Sequence, residues 1–224
     1  MRELLYATIR RFRRDRMATF QSAFPLTLQT RILDVGGTRL NWDLIAARPK
    51  ITLLNLPSSG EATVVGDGRH LPFRDRAFDI VFSNSVIEHI SSVEDQRRFA
   101  DEVRRTGRAY WVQTPDRRFP VEPHLLTPFL HWLPRRARAS IARRFTFWSL
   151  IERPSRDRWE FYIRHCSEEV RLLDARELQS MFPEAHIIRE RFLGLSKSLI
   201  AVWKGSPLPV RPRDQHGKPG HQAR

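Results

Sequence analysis

The run Arg31-Ile32-Leu33-Asp34-Val35-Gly36-Gly37-Thr38-Arg39 limits this chain more than any other segment. A short apolar run carries one acid and stops at two glycines. That is how an open α/β sheet presents its first loop to a ligand, over the carboxyl ends of parallel strands. Taken alone, Gly36-Gly37 is equally an ordinary tight turn. The order of the downstream motifs adds weight. Gly66-Asp67-Gly68-Arg69-His70-Leu71-Pro72-Phe73 lies about 30 residues on, then the strand-like Ala77–Phe82, then Ser83-Asn84-Ser85-Val86-Ile87-Glu88-His89.

Strands are expected at 31–35, 51–54, 62–65, 78–82 and 109–112. Short apolar runs set these, and Gly, Pro and charge bound them. Helices are expected at 41–47 and 93–104, the second with an apolar face at Phe99, Ala100 and Val103 and a stop at Gly107. Such alternation predicts a mostly parallel, Rossmann-like sheet of seven strands with helices on both faces. The main domain is expected over 31–204. Residues 114–163 break its rhythm with Pro115, Pro120, Pro123, Pro128 and Pro134 and many Trp, Phe and Arg residues, so they are read as an inserted aromatic and basic lid. Beyond it, Asp174 and Glu177 are spaced as a helix capping box, and two closing strands are expected at 187–191 and 199–203.

Residues 1–30 read as a basic extension with a helix whose apolar stripe is Leu4, Leu5, Ile9 and Phe12. Residues 205–224 lack apolar anchors and are read as a disordered basic tail. The net charge of +14 is concentrated. Residues 1–16 hold six Arg against two acids, and residues 135–144 hold five Arg and no acid. Such segments suit an anionic membrane surface or a nucleic acid, or face solvent. The single Cys166 excludes an internal disulfide and a Cys-rich zinc site. A reducing, cytoplasmic setting is expected. No stretch is apolar enough for a transmembrane helix, and no signal peptide is read at the N-terminus.

With these motifs at these spacings, the chain resembles the class I methyltransferases that use S-adenosylmethionine. Within them it looks closest to the small-molecule subgroup typified by ubiquinone and menaquinone methyltransferases. The resemblance covers roughly 30–115 and, more loosely, 165–204. It implies S-adenosylmethionine as cofactor and a methyltransferase activity. It puts Asp34 near the cofactor's amino group, Gly36 and Gly37 beside its backbone path, Asp67 at the adenine edge, Gly68 in the same pocket, and Ser83 at the carboxyl end of strand four. Two departures stand out. Thr38 and Leu40 occupy positions where the family has glycines. Asn55 stands where the family has the acid that binds the ribose hydroxyls.

Methyl transfer from a sulfonium is a direct displacement, so a protein base is needed only for a hydroxyl, an acidic carbon or a protonated amine. His89 is the first candidate for that base, and its alternative is a helix-start histidine bonded to backbone. His124, in the lid, is the second, with Tyr162 and His165 weaker. No His-x-x-x-His or paired-carboxylate pattern is present, so no metal is expected. The surplus lid aromatics (Phe119, Phe129, Trp132, Phe145, Phe147, Trp148, Trp159 and Phe161) suit an apolar acceptor pocket. With the neighbouring arginines they favour a small-molecule, lipid-linked or glycan-linked acceptor. A nucleic-acid methyltransferase is the next reading, but the chain lacks the Asn/Asp-Pro-Pro-aromatic signature of base amino-group enzymes. A non-catalytic binding domain of the same fold is the third, motivated by Asn55 and the thinned glycine turn.

Overall fold

The apolar run after Thr30 becomes the middle of a sheet because every residue from Ile32 to Val35 is buried. A computed structural model describes residues 2–57 and 62–205. Strands β1 (Arg31–Val35), β2 (Lys50–Asn55), β3 (Val64–Val65), β4 (Phe78–Asn84) and β5 (Gly107–Pro115) are parallel. In the lid, β6 (Val121–Glu122) and β7 (Thr127–Pro128) form a separate hairpin. The antiparallel pair β8 (His186–Phe192) and β9 (Leu195–Trp203) closes the main sheet. Its order is β3-β2-β1-β4-β5-β9-β8, seven strands as expected. The chain reverses direction across the sheet between β1 and β4, and that crevice is where ligands gather in this architecture.

Helices cover both faces. On one, α3 (Val93–Thr106) and α7 (Ala175–Met181) bury Phe99, Ala100, Val103, Leu178 and Met181 against Val81, Tyr110 and Leu199. Both starts are chemically encoded. The Ser92 hydroxyl accepts from the Asp95 amide, and Asp174 with Glu177 forms the full capping box. Gly107 ends α3 in extended backbone and begins β5 without a loop. The other face is covered by α1 (Arg2–Ala23), with the single turn α2 (Arg39–Trp42) beside it. The expected stripe on α1 is only partly its contact surface, since Leu4 is 73% exposed while Phe12 packs edge-on against Phe192 at 5.6 Å. Met17 and Phe20, one turn from its end, and Phe24 just beyond it are buried with Phe82 and Trp111 instead. The helix expected at 41–47 is earlier and shorter, and only Val64–Val65 of the third expected strand pairs.

The lid contains β6, β7, α4 (Arg135–Ala142), α5 (Phe147–Glu152) and α6 (Arg156–Arg164), which runs on into a π-helical turn at His165–Glu169. It has a small core of its own, built from Leu125, Leu130, Ala142, Trp148, Ile163 and the free thiol Cys166. No described helix is long and apolar enough to cross a membrane. The tail read as disordered lies, apart from Gly205, outside the described residues.

One buried ion pair ties α1 to the sheet. The Arg16 guanidinium donates to both oxygens of Glu190 on β8 at 2.7 and 2.6 Å, to Asn84 on β4 at 2.5 Å and to Gln113 on β5 at 3.1 Å. Removing one partner of such a pair leaves the other charge desolvated. Arg16→Ala is expected to cost about 3–5 kcal/mol in urea unfolding. Arg11→Ala, which breaks an exposed i,i+4 pair with Asp15, is expected to cost less than about 1 kcal/mol.

Candidate active site

At the carboxyl ends of β1, β2 and β4 lies an open cavity of about 560 Å³, within the ordinary size range of small-molecule sites. Gly36, Asn55, Asp67, Gly68 and His89 line it, with Arg69, Ser85, Val86, Asp95 and His165. Asp34, Gly37, Ser83 and His124, also singled out from the sequence, stand behind this wall rather than in it. Ser83 donates its hydroxyl to the Val35 carbonyl at 3.1 Å and steadies the end of β1.

The glycine turn is held from beneath. Gly36 has φ +78°, and a Cβ there would meet Val86 at 2.5 Å. Gly37 sits directly on the Asp34 carboxylate, so a Cβ would come within 1.8 Å of Oδ2. Asp34 is fully buried and accepts from Trp42 Nε1 at 2.8 Å, while its Oδ1 has no hydrogen-bond partner. Burial pushes its pKa up to about 7, against the pull of the Trp42 bond. Asn55, at the end of β2, donates Nδ2 to the Gly37 carbonyl at 2.8 Å. An acid in its place could not make that bond.

Across the cavity, Asp67 is already engaged. Arg69 donates from Nε and Nη2 to its carboxylate at 2.6–3.0 Å and from Nη1 to Asp95 at 2.9 Å. The Arg69 bonds hold the Asp67 pKa below the usual carboxylate range. The Arg69 side chain, and not only its backbone, therefore shapes this wall. Two carboxylate oxygens still leave room for a further donor, such as an exocyclic amine.

The lid end of the cavity is a cluster of imidazoles. His89 Nδ1 lies 3.1 Å from His165 Nε2, and the two rings stack at 5.2 Å. His165 Nδ1 lies 2.5 Å from Glu169 Oε2. On the other side of His89, the His124 ring packs edge-on at 4.9 Å, and its Nδ1 lies 2.8 Å from Glu122 Oε1. Glu88 is fully buried. It accepts from the Thr114 hydroxyl at 2.9 Å through Oε2, and its Oε1 has no hydrogen-bond partner. Burial, then the charges of His124 and His165, lower His89 to about 4. Burial also opposes charge on His124, yet the Glu122 bond and the Glu122 and Glu88 charges outweigh it and raise its pKa. Glu88, His89 and His124 can each offer one ligand atom, all within 4.8 Å of one another. Borderline divalent ions such as zinc use such donors. His165 and Glu169, spaced i,i+4, were legible as a helical pair. Their meeting with His89 was not, because it depends on how the lid folds back. The expected aromatic acceptor pocket is not seen in this cavity, since none of the lid aromatics lines it. Trp148 instead stacks on Tyr162 at 4.2 Å within the lid core, and Phe129, Trp132, Phe145, Phe147 and Phe161 are exposed.

Residues 33–109, from within β1 to the start of β5, match a family model described as a methyltransferase domain. The match makes this segment, about a third of the chain, similar to a methyltransferase domain. Class I methyltransferase domains take S-adenosylmethionine, and the lining of this cavity is compatible with a nucleoside-type ligand. A side chain at Gly36 would collide with Val86, and polar groups from Asn55, Asp67 and Ser85 face the space. Among curated proteins, none matches this sequence. The PH0226 protein of Pyrococcus horikoshii shares the fold at TM-score 0.52 and 13% identity, over 84% of this chain and 88% of that one. So does a Rhodobacter sphaeroides protein named for Zn-dependent alcohol dehydrogenases, at TM-score 0.50 and 10% identity, over 79% and 84%. A Galdieria sulphuraria protein named for sarcosine dimethylglycine methyltransferase is 18% identical at TM-score 0.39, and this chain spans 45% of its length. One scaffold thus carries different names, and activity must be argued from the site.

Two measurements test the turn. Gly37→Ala is expected to destabilise the fold by about 1–3 kcal/mol through overpacking on Asp34. The raised Asp34 pKa means the folded state holds a proton that the unfolded chain releases near 3.8. Stability contributed by this group therefore falls as pH rises from about 4 to about 7. Asp34→Asn cannot ionise. Its melting temperature relative to the native protein is expected to rise between about pH 5 and about pH 8, and a flat difference would refute the buried-acid assignment.

Proposed function

We propose that this protein is an S-adenosylmethionine-dependent methyltransferase acting on a hydroxyl-bearing small-molecule acceptor, of the lipid-linked or glycan-linked anionic kind. The observation that carries the reading is a single cavity with two chemistries. One end has a glycine turn, Asn55 and Asp67, suited to a nucleoside. The other end has imidazoles suited to an acceptor's proton. The cofactor supplies a methyl group on a sulfonium, and the leaving group needs no help from the protein.

The hydrogen bonds support one set of tautomers. Glu169 accepts from Nδ1–H of His165, which leaves His165 Nε2 as an acceptor. His89 then donates Nδ1–H to it, which leaves the lone pair on His89 Nε2. A proton taken from the acceptor at His89 Nε2 is matched by movement of Nδ1–H toward His165 and of the next proton toward Glu169. Glu169 has an exposed side chain. The relay offsets the weak basicity of His89, because the proton does not have to remain on the buried ring. The Glu122 bond favours the charged form of His124, which would place positive charge where an acceptor oxygen becomes anionic.

Calorimetric titration with S-adenosylhomocysteine tests the cofactor end. Micromolar binding is expected, weakened about tenfold or more in Asp67→Ala by loss of one charge-assisted bond. No binding by the native protein would overturn the reading in favour of a non-catalytic domain. At the acceptor end, transfer from labelled cofactor to a panel of phenolic, lipid and glycan acceptors is expected to fall about 100-fold in His89→Gln, the usual scale for loss of a general base. The reading needs no metal, because the donor is already activated. Prolonged chelation is expected to leave transfer unchanged, and a loss restored by a divalent ion would instead make Glu88, His89 and His124 its ligands.

A further inference from the structure

The lid carries a surface that the cavity does not use. Eight of the eighteen exposed large hydrophobics among the described residues fall between Phe129 and Phe161. They include Trp132, Leu133, Ile141, Phe145, Leu150 and Phe161, and Leu150 and Phe161 are 52% and 61% exposed. Beside them, α4 sets Arg135, Arg136, Arg143 and Arg144 around a depression of about 500 Å³. Arg143 also borders the neighbouring depression that contains Phe161, so the basic and apolar patches adjoin. Residues 130–151 hold five Arg and no acid, so the positive charge of this face is local to it.

We infer that this face of the lid docks on an anionic lipid surface. Arginines clustered without acids next to exposed apolar side chains match the two layers of such a surface, headgroup phosphates outside and the acyl boundary beneath. The apolar set decides against nucleic acid. Single strands stack on aromatic rings, whereas Leu133, Ile141 and Leu150 offer no stacking face and gain only from an apolar medium. This concentration of exposed apolar side chains, with Phe129 on Trp132 and Phe145 on Phe147, is the kind that marks an interaction site. The patch also reaches the basic start of α1, because Tyr6 donates its hydroxyl to Glu152 of α5 at 2.6 Å and Arg2 pairs with the same carboxylate. This docking does not rest on the methyltransferase reading.

Flotation of the full chain with vesicles tests it. The two compositions are pure phosphatidylcholine, and phosphatidylcholine with about one third phosphatidylglycerol, in which each added cationic side chain strengthens binding. Binding to the anionic vesicles is expected, with little to the neutral ones, and it should weaken at high salt. The double variant Arg135→Glu/Arg136→Glu should reduce it about tenfold or more, and Leu150→Ser/Phe161→Ser should reduce it at unchanged charge. Native circular dichroism and melting temperature identify variants that remain folded. Three outcomes would overturn the proposal. One is no vesicle binding. Another is binding that neither folded variant weakens. The third is anisotropy showing that a single-stranded oligonucleotide binds this face more tightly than the anionic vesicles.

Discussion

A single desolvated guanidinium connects the basic N-terminus to the candidate chemistry. Arg16 is 8% exposed and satisfies its charge on Glu190, Asn84 and Gln113, three residues from three strands. Gln113 also accepts from the Ser85 hydroxyl at 3.0 Å, and its carbonyl accepts from the Ser85 amide. Those bonds hold Ser85 at φ +57°, a conformation that side chains rarely adopt. The resulting bend presses Val86 against Gly36 and starts the 3₁₀ turn Ile87–His89. A helix that the charge pattern alone would assign to the surface is thus the first support of the turn that aims His89.

The sheet was legible because its strands are short apolar runs with hard boundaries. Arg31–Val35 and Phe78–Phe82 start and end at chemistry that only one conformation satisfies, and so does the capping box at Asp174. The elements that shifted were set by tertiary contacts. Residues 41–47 offer helical spacing, but Trp42 has to reach Asp34, and the helix closes at that residue. In α1, the exposed stripe and the buried one are both apolar, so periodicity could not choose between Leu4 and Phe20. Packing chose, because Phe20 meets Phe82 at 5.1 Å and Trp111 at 5.5 Å. At the site, Gly36, Asn55, Asp67, Gly68 and His89 could be read from motif spacing. The bond of Arg69 to Asp95 and the meeting of His165 with His89 could not, because each partner is distant in sequence and the second depends on the lid's return.

The lid explains why the imidazole cluster exists at all. His89 belongs to the sheet, while His124 and His165 belong to a segment with its own small core. Their contact is a seam between two packed units, and it is polar where most such seams are apolar. The Leu125 amide donates to Glu122, and the Arg171 amide donates to the Glu88 carbonyl at 2.8 Å, so both sides of the seam are anchored through backbone. A half-satisfied buried network is costly. Glu88 Oε1 and Asp34 Oδ1 are the two carboxylate oxygens near the cavity left without a hydrogen bond. Stability alone would favour apolar replacements at both places, so their presence points to ligand chemistry on this side of the sheet.

The thinned glycine turn obeys the same logic. A turn with glycines at Thr38 and Leu40 would be looser, and an acid at Asn55 would be free to face a ribose. Here the turn is braced on three sides, by Asp34 beneath Gly37, by Val86 against Gly36, and by the Asn55 amide on the Gly37 carbonyl. Bracing lowers the ordering cost when a ligand settles on the turn, which offsets the loss of a charged ribose contact. Asn55 suits that role and aspartate does not, since only the amide can donate to a carbonyl while avoiding a second buried negative charge close to Asp34. The two departures from the family pattern are therefore one adaptation. On the proposed cofactor reading, the chain exchanges a flexible turn and a charged ribose contact for a rigid turn whose backbone lies beside the cavity.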